Sequence, residues 1–110
     1  MTSTAAPAII IISTAATTDQ ASRIGQILLE ENLIACVNII PGVKSLYRWQ
    51  GKIQQDDEVV MLMKTLKDKQ VAVFVRIKQL HDYDVPEIIA LESDSIDSDY
   101  YDWLSKVINT

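Results

Sequence analysis

Residues 81–88 read His-Asp-Tyr-Asp-Val-Pro-Glu-Ile and hold the one histidine of the chain, together with three carboxylates and a phenol. An imidazole beside hard oxygen donors suits Zn, Ni or Cu(II) better than Cu(I). His81, Asp82, Asp84 and Glu87 are therefore candidates for holding a divalent cation such as Cu(II) or Zn(II). The spacing matches no tight zinc motif. The alternative is an acidic turn into a last strand, its histidine hydrogen-bonded at a helix end where the cationic form suits the dipole. Softer donors are scattered. Cys36, between Ala35 and Val37, reads as a buried thiol, with soft-metal binding or redox chemistry as the alternative. Met61 and Met63 share a strand face and read as core filling rather than thioether ligands for Cu(I). Catalytic constellations are missing: there is no defensible Ser/His/Asp arrangement, and three glycines do not make a phosphate-cradling loop. Asp56 and Asp57, adjacent on a strand, point to opposite faces and make no acid–base couple. The chain does not read as an enzyme, and no cofactor is required.

Whatever these residues do must be supported by a small scaffold. A chain of 110 residues is enough for one core, so residues 1–110 are expected to form a single domain, with 1–7 flexible. Apolar residues make up 48%, as in globular proteins. Ten basic against fifteen acidic residues give a net charge of -5, and eight acids without a Lys or Arg lie between Gln79 and Lys106. That field disfavours nucleic acid, which needs cationic contacts, and favours cations. The apolar run Ala-Ile-Ile-Ile-Ile is too short for a membrane span or a signal-peptide core, and it lacks a basic segment before it. One cysteine makes no internal disulfide. No membrane association and a cytoplasmic location are the expectations.

The element order follows from periodicity. Ala8–Ser13 is apolar at both parities, as in a central strand buried on both faces. Thr17 with Gln20 fits a capping box before a helix carrying Ala21, Ile24, Ile27 and Leu28. Residues 34–49 and 52–65 read as two long strands joined by a tight Gln50-Gly51 turn. That turn sets Lys44 opposite Asp57, Tyr47 opposite Gln54 and Arg48 opposite Ile53, with a slip expected at Pro41-Gly42. Residues 67–80 suit a helix through Val71, Phe74, Val75 and Lys78, although Val71, Val73, Val75 and Ile77 also alternate like a strand; length and charged flanks favour the helix. A short strand over Glu87–Glu92 and a terminal helix carrying Tyr100, Trp103, Leu104, Val107 and Ile108 complete the chain. The order β-α-β-β-α-β-α predicts an α+β fold, a ferredoxin-like βαββαβ sandwich with an added C-terminal helix.

The hairpin is too long for that sandwich. Sixteen residues at about 3.3 Å each reach roughly 50 Å, whereas a domain of this size has a radius of gyration near 13 Å. Its outer half carries Val43, Leu46, Tyr47, Trp49 and Ile53. Leaving such side chains in water forgoes about 1.5–3 kcal/mol each. Other copies of the chain are the available cover, so an obligate homo-oligomer is expected. The alternative is a bend at Pro41-Gly42 that folds the hairpin onto its own core.

The blocks LIACVNIIPGVKSLYRWQGKI, EVVMLMKT, HDYDVPEI and YYDWL, after an initial IIIISTA, occur in an order that resembles the CutA divalent-cation tolerance family over nearly the whole chain. The resemblance implies a ferredoxin-like fold, a homotrimer with interlocking long strands, and a link to tolerance of copper and other divalent cations. It also implies a copper site of one cysteine and two adjacent histidines. Here Ser13 takes the cysteine's place, Leu80 replaces the first histidine, and only His81 remains, followed by Asp82 in place of the usual proline. A serine hydroxyl is a poor ligand for a soft ion and leucine is none. By analogy with trimeric nitrogen-regulatory proteins, Tyr47, Trp49, Lys64, Tyr83 and Glu87 are expected either to line an inter-subunit cleft for a small effector or to anchor the interface. The second functional reading is thus a signalling or scaffold trimer that binds a small effector or a partner protein.

Overall fold

The computed structural model describes residues 6–110. The elements are β1 (Ala8–Ala15), α1 (Thr18–Glu30), β2 (Cys36–Trp49), β3 (Lys52–Leu66), a turn of 3-10 helix (Lys67–Lys69), α2 (Gln70–Leu80), β4 (Ile88–Glu92) and α3 (Ser98–Ile108). The strands form one antiparallel sheet in the order β2-β3-β1-β4. Element order and strand order together are those of the ferredoxin-like sandwich. The expected flexible stretch lies outside the described residues as far as residue 5. Ala6 and Pro7 are tied down: the Ala6 carbonyl accepts from the Tyr101 hydroxyl at 2.6 Å, and the Pro7 carbonyl accepts from the Lys67 N–H at 2.8 Å.

Local chemistry accounts for the helix ends. The Thr17 hydroxyl accepts from the Gln20 N–H at 3.1 Å and caps α1. The Gln20 side-chain oxygen is buried without a partner, so only half of the expected capping box forms. In α3 the Asp97 carboxylate caps the Tyr100 N–H at 3.1 Å. The helical reading of residues 70–80 holds, but its inward face is different from the one expected. Val73 and Ile77 are fully buried, while Val71 and Val75 are 75% and 51% exposed. The reason is that Val71, Val73, Val75 and Ile77 satisfy two helical faces equally, and only docking chooses between them. In α3 likewise, Leu104 and Ile108 are buried, while Tyr100 and Trp103 remain exposed.

The main core lies on one face of the sheet. Ile9 and Ile11 from β1 and Val59, Met61 and Met63 from β3 pack against Ala21, Ile24 and Leu28 of α1 and Val73 and Ile77 of α2. The opposite face is covered by a helix only at one end, where Leu104 and Ile108 of α3 cluster with Leu66 and Ala35. Ile10, Ile12, Val60 and Leu62 share it and are half-buried, and Ile40, Ile89 and Leu91 are exposed at 44%, 49% and 52%. β1 is therefore central, as expected, but within one chain its second face is buried only at its ends, at Ala8 and Thr14, and half-buried at Ile10 and Ile12.

The hairpin keeps its predicted register from Trp49↔Lys52 to Val43↔Glu58, and then shifts by one residue at Pro41-Gly42, where β2 carries a bulge. Gln50 and Gly51 both have positive φ, 50° and 77°, the signature of a type I′ turn. Nothing folds it back. The molecule measures 53 × 26 × 23 Å with a radius of gyration of 15.1 Å, above the roughly 13 Å expected for a compact chain of this length.

Candidate functional site

Alternation along β2 and β3 puts Tyr47 and Trp49 on the same hairpin face as Asp56 and Glu58. Parity also aligns Glu58 with Val60 and Leu62, so this face continues the sheet face opposite the main core. The connection between α2 and β4 supplies the opposite wall. Together Tyr47, Trp49, Asp56 and Glu58 from the hairpin and Tyr83, Asp84, Val85 and Glu87 from that loop line a groove of about 400 Å³.

The loop is held in place by residues that resist being ligands. His81 Nδ1 accepts from the Tyr83 N–H at 3.0 Å, so the ring carries its proton on Nε2, which donates to the Thr14 carbonyl at 2.6 Å. Its ring leans against Tyr83, with centroids 4.8 Å apart and planes tilted by 40°. Both nitrogens are engaged. Ser13, fully buried, donates from its hydroxyl to the Glu87 carbonyl at 2.7 Å. Leu80 packs against the core. The positions where the resemblance implies metal ligands therefore fasten the loop to the end of β1.

Two tyrosines orient two carboxylates, one across the groove and one along the hairpin wall. The Tyr83 hydroxyl donates to Glu58 Oε2 at 2.9 Å, and the Tyr47 hydroxyl donates to Asp56. Partial burial and the Glu58 carboxylate push the Tyr83 phenol up to about 12. The hydrogen bond to Asp56 raises Tyr47 above its ordinary value. Asp84 and Glu87 are exposed and carry no side-chain hydrogen bond among the described residues. Four carboxylates thus line the groove without a lysine or arginine. The ion pair recorded among the described residues, Arg76 with Glu31 at 2.8 Å, lies elsewhere.

Of the candidates from the sequence, Tyr47, Trp49, Tyr83, Asp84 and Glu87 come together in this groove. Asp82 is exposed outside its lining. Lys64, opposite Ile10 and Cys36, borders a different depression near Ser93, Tyr100 and Leu104. No group of three or more His, Cys, Asp or Glu is arranged to hold a metal among the described residues. Asp56 and Glu58 were not picked out by sequence reasoning as groove residues. The hairpin register was the signal that links them to Tyr47 and Trp49.

A family model described as CutA1 divalent ion tolerance protein matches residues 9–107. The divalent-cation tolerance protein CutA of Pectobacterium atrosepticum is 44% identical over 98 residues, covering 89% of each chain. Among solved structures, CutA1 of Oryza sativa superposes with a TM-score of 0.91 at 37% identity, covering 96% of both chains. The periplasmic divalent cation tolerance protein CutA of Archaeoglobus fulgidus superposes with a TM-score of 0.90 at 36% identity, covering 92% of this chain and 98% of that one. No helix among the described residues is long and apolar enough to cross a membrane.

Proposed function

This chain belongs to the CutA1 divalent ion tolerance family, and from that premise we propose that it works in divalent-cation tolerance as a non-enzymatic, cytoplasmic homotrimer, with a cation-binding groove at each subunit border. One observation carries the reading. The sheet face opposite the main core, with Ile40, Ile89 and Leu91 about half exposed, continues into the hairpin face that carries Trp49, 55% exposed, while Leu46 and Ile53 on the other hairpin face are 66% and 76% exposed. Covering half of one such side chain is worth about 1 kcal/mol, so this surface as a whole favours association strongly. A copy seated on the sheet face would also border the groove, because Glu58 shares that face with Val60 and Leu62.

Four carboxylates lining the groove without a lysine or arginine make cations the fitting ligands. Divalent ions such as Cu(II) or Zn(II) would bind weakly here, through Asp84 and Glu87 more than through His81, whose ring nitrogens already serve the fold. Sedimentation velocity at micromolar concentration tests the assembly: a mass of three chains is expected, and a folded monomer overturns the reading. Titration with Cu(II) and Zn(II) tests the groove. An Asp84→Asn/Glu87→Gln variant is expected to weaken binding more than His81→Ala does, and the reverse order would put the ion at His81.

A further inference from the structure

We infer that the groove between the hairpin and the 82–87 loop is built for an aliphatic organic cation carrying two or more ammonium groups, of the diamine and polyamine class. This rests on the reading of the groove as a binding site and names its ligand. Two properties of the lining decide the chemistry. The first is charge: Asp56, Glu58, Asp84 and Glu87 face the groove, and no lysine, arginine or histidine lines it. Phosphates and carboxylate metabolites are repelled by such a lining. A neutral apolar ligand would strip water from four carboxylates and return nothing.

The second property is the spread of those charges between aromatic walls. A compact divalent ion needs several oxygens converging at about 2.0–2.6 Å, and no three acidic, histidine or cysteine side chains are so grouped among the described residues. Instead Asp56 and Glu58 are held on the hairpin wall by hydrogen bonds from Tyr47 and Tyr83, while Asp84 and Glu87 stand on the loop wall. Tyr47, Trp49, Tyr83 and Val85 present apolar surface between them. Ammonium groups joined by methylenes match both features: the charges reach separated carboxylates, and the methylenes and N–H faces lie on the aromatic rings. A volume of about 400 Å³ accommodates such a chain.

Isothermal titration calorimetry of the assembled protein with spermidine, putrescine, butylamine and MgCl2 at matched ionic strength tests the assignment. Spermidine is expected to bind about tenfold or more tightly than butylamine or Mg2+, and increasing salt is expected to weaken it. Trp49→Leu keeps an apolar wall but removes the ring face, and is expected to cost about 3- to 10-fold. Asp84→Asn/Glu87→Gln alters two exposed side chains and is expected to cost about tenfold. Spermidine binding no tighter than Mg2+ overturns the assignment, as does binding indifferent to both variants. A groove already filled by a neighbouring copy's lysine or arginine produces the first of these outcomes and overturns it equally. Sedimentation of the same samples separates the two proposals. A trimer indifferent to spermidine sinks the ligand class alone, whereas a monomer that binds it sinks the assembled cleft alone.

Discussion

Gly25 sets how closely α1 lies on the root of the hairpin. A methyl group built there would sit 2.8 Å from Val37 Cγ1, 3.6 Å from Val37 Cβ and 3.7 Å from Val37 Cγ2. Ordinary contact begins near 3.4 Å, so Gly25→Ala forces one methyl of Val37 to move by about 0.6 Å or the helix to lift. Val37 is β-branched and stiff at χ1, so it does not yield by rotating freely. Overpacking of this kind costs about 1–3 kcal/mol, and replacing glycine by alanine inside a helix returns about 1 kcal/mol. The net expectation is a loss of about 1 kcal/mol. With Val37→Ala in the background the 2.8 Å clash is gone and the 3.6 Å contact remains. Gly25→Ala should then stabilise by about 1 kcal/mol, giving a coupling of about 2 kcal/mol in the double-mutant cycle. Urea unfolding of all four proteins at one fixed chain concentration measures this, since stability of an oligomer depends on concentration. Additivity within about 0.5 kcal/mol would mean that α1 does not rest on Val37 as described.

Three further outcomes are expected. The Tyr83 phenol, at about 12 when folded and near 10 when unfolded, makes the folded state lose stability as pH rises from 10 through 12, because the unfolded chain gives up the proton first. Absorbance titration against a Tyr83→Phe control reads the shift. Glu58→Gln should lower the midpoint only in part, because burial is its largest cause and remains; a full return to 10 would contradict that. Ser13→Ala removes a fully buried hydroxyl and its part-buried hydrogen bond to the Glu87 carbonyl, and should cost about 0.5–1.5 kcal/mol in urea unfolding. No measurable cost would mean the loop is not anchored there. Gly51→Ala has open space for a methyl but a φ of 77°, so strain alone should cost about 1–2 kcal/mol. A neutral result would argue against the type I′ turn.

Much of this architecture is written in local pattern. The Thr17 cap, the Gln50-Gly51 turn and the slip at Pro41-Gly42 depend on residues a few positions apart, and periodicity alone yields the order of elements and the reach of the hairpin. The choice of Val73 and Ile77 as the buried side of α2 was beyond local pattern, because the alternating valines fit either side and only the sheet beneath discriminates. The groove lay further still from view. Its walls come from strand positions 47–58 and loop positions 83–87, and the Tyr83–Glu58 hydrogen bond joins residues 25 apart. His81 is the clearest instance. Composition leaves it open between a ligand and a histidine hydrogen-bonded at a helix end, and folding brings it to the Thr14 carbonyl, 67 residues away in sequence, and commits both ring nitrogens to holding the loop. Short-range sterics and alternation act between neighbours and so can be read along the chain, whereas which distant groups meet depends on how the sheet and its helices dock.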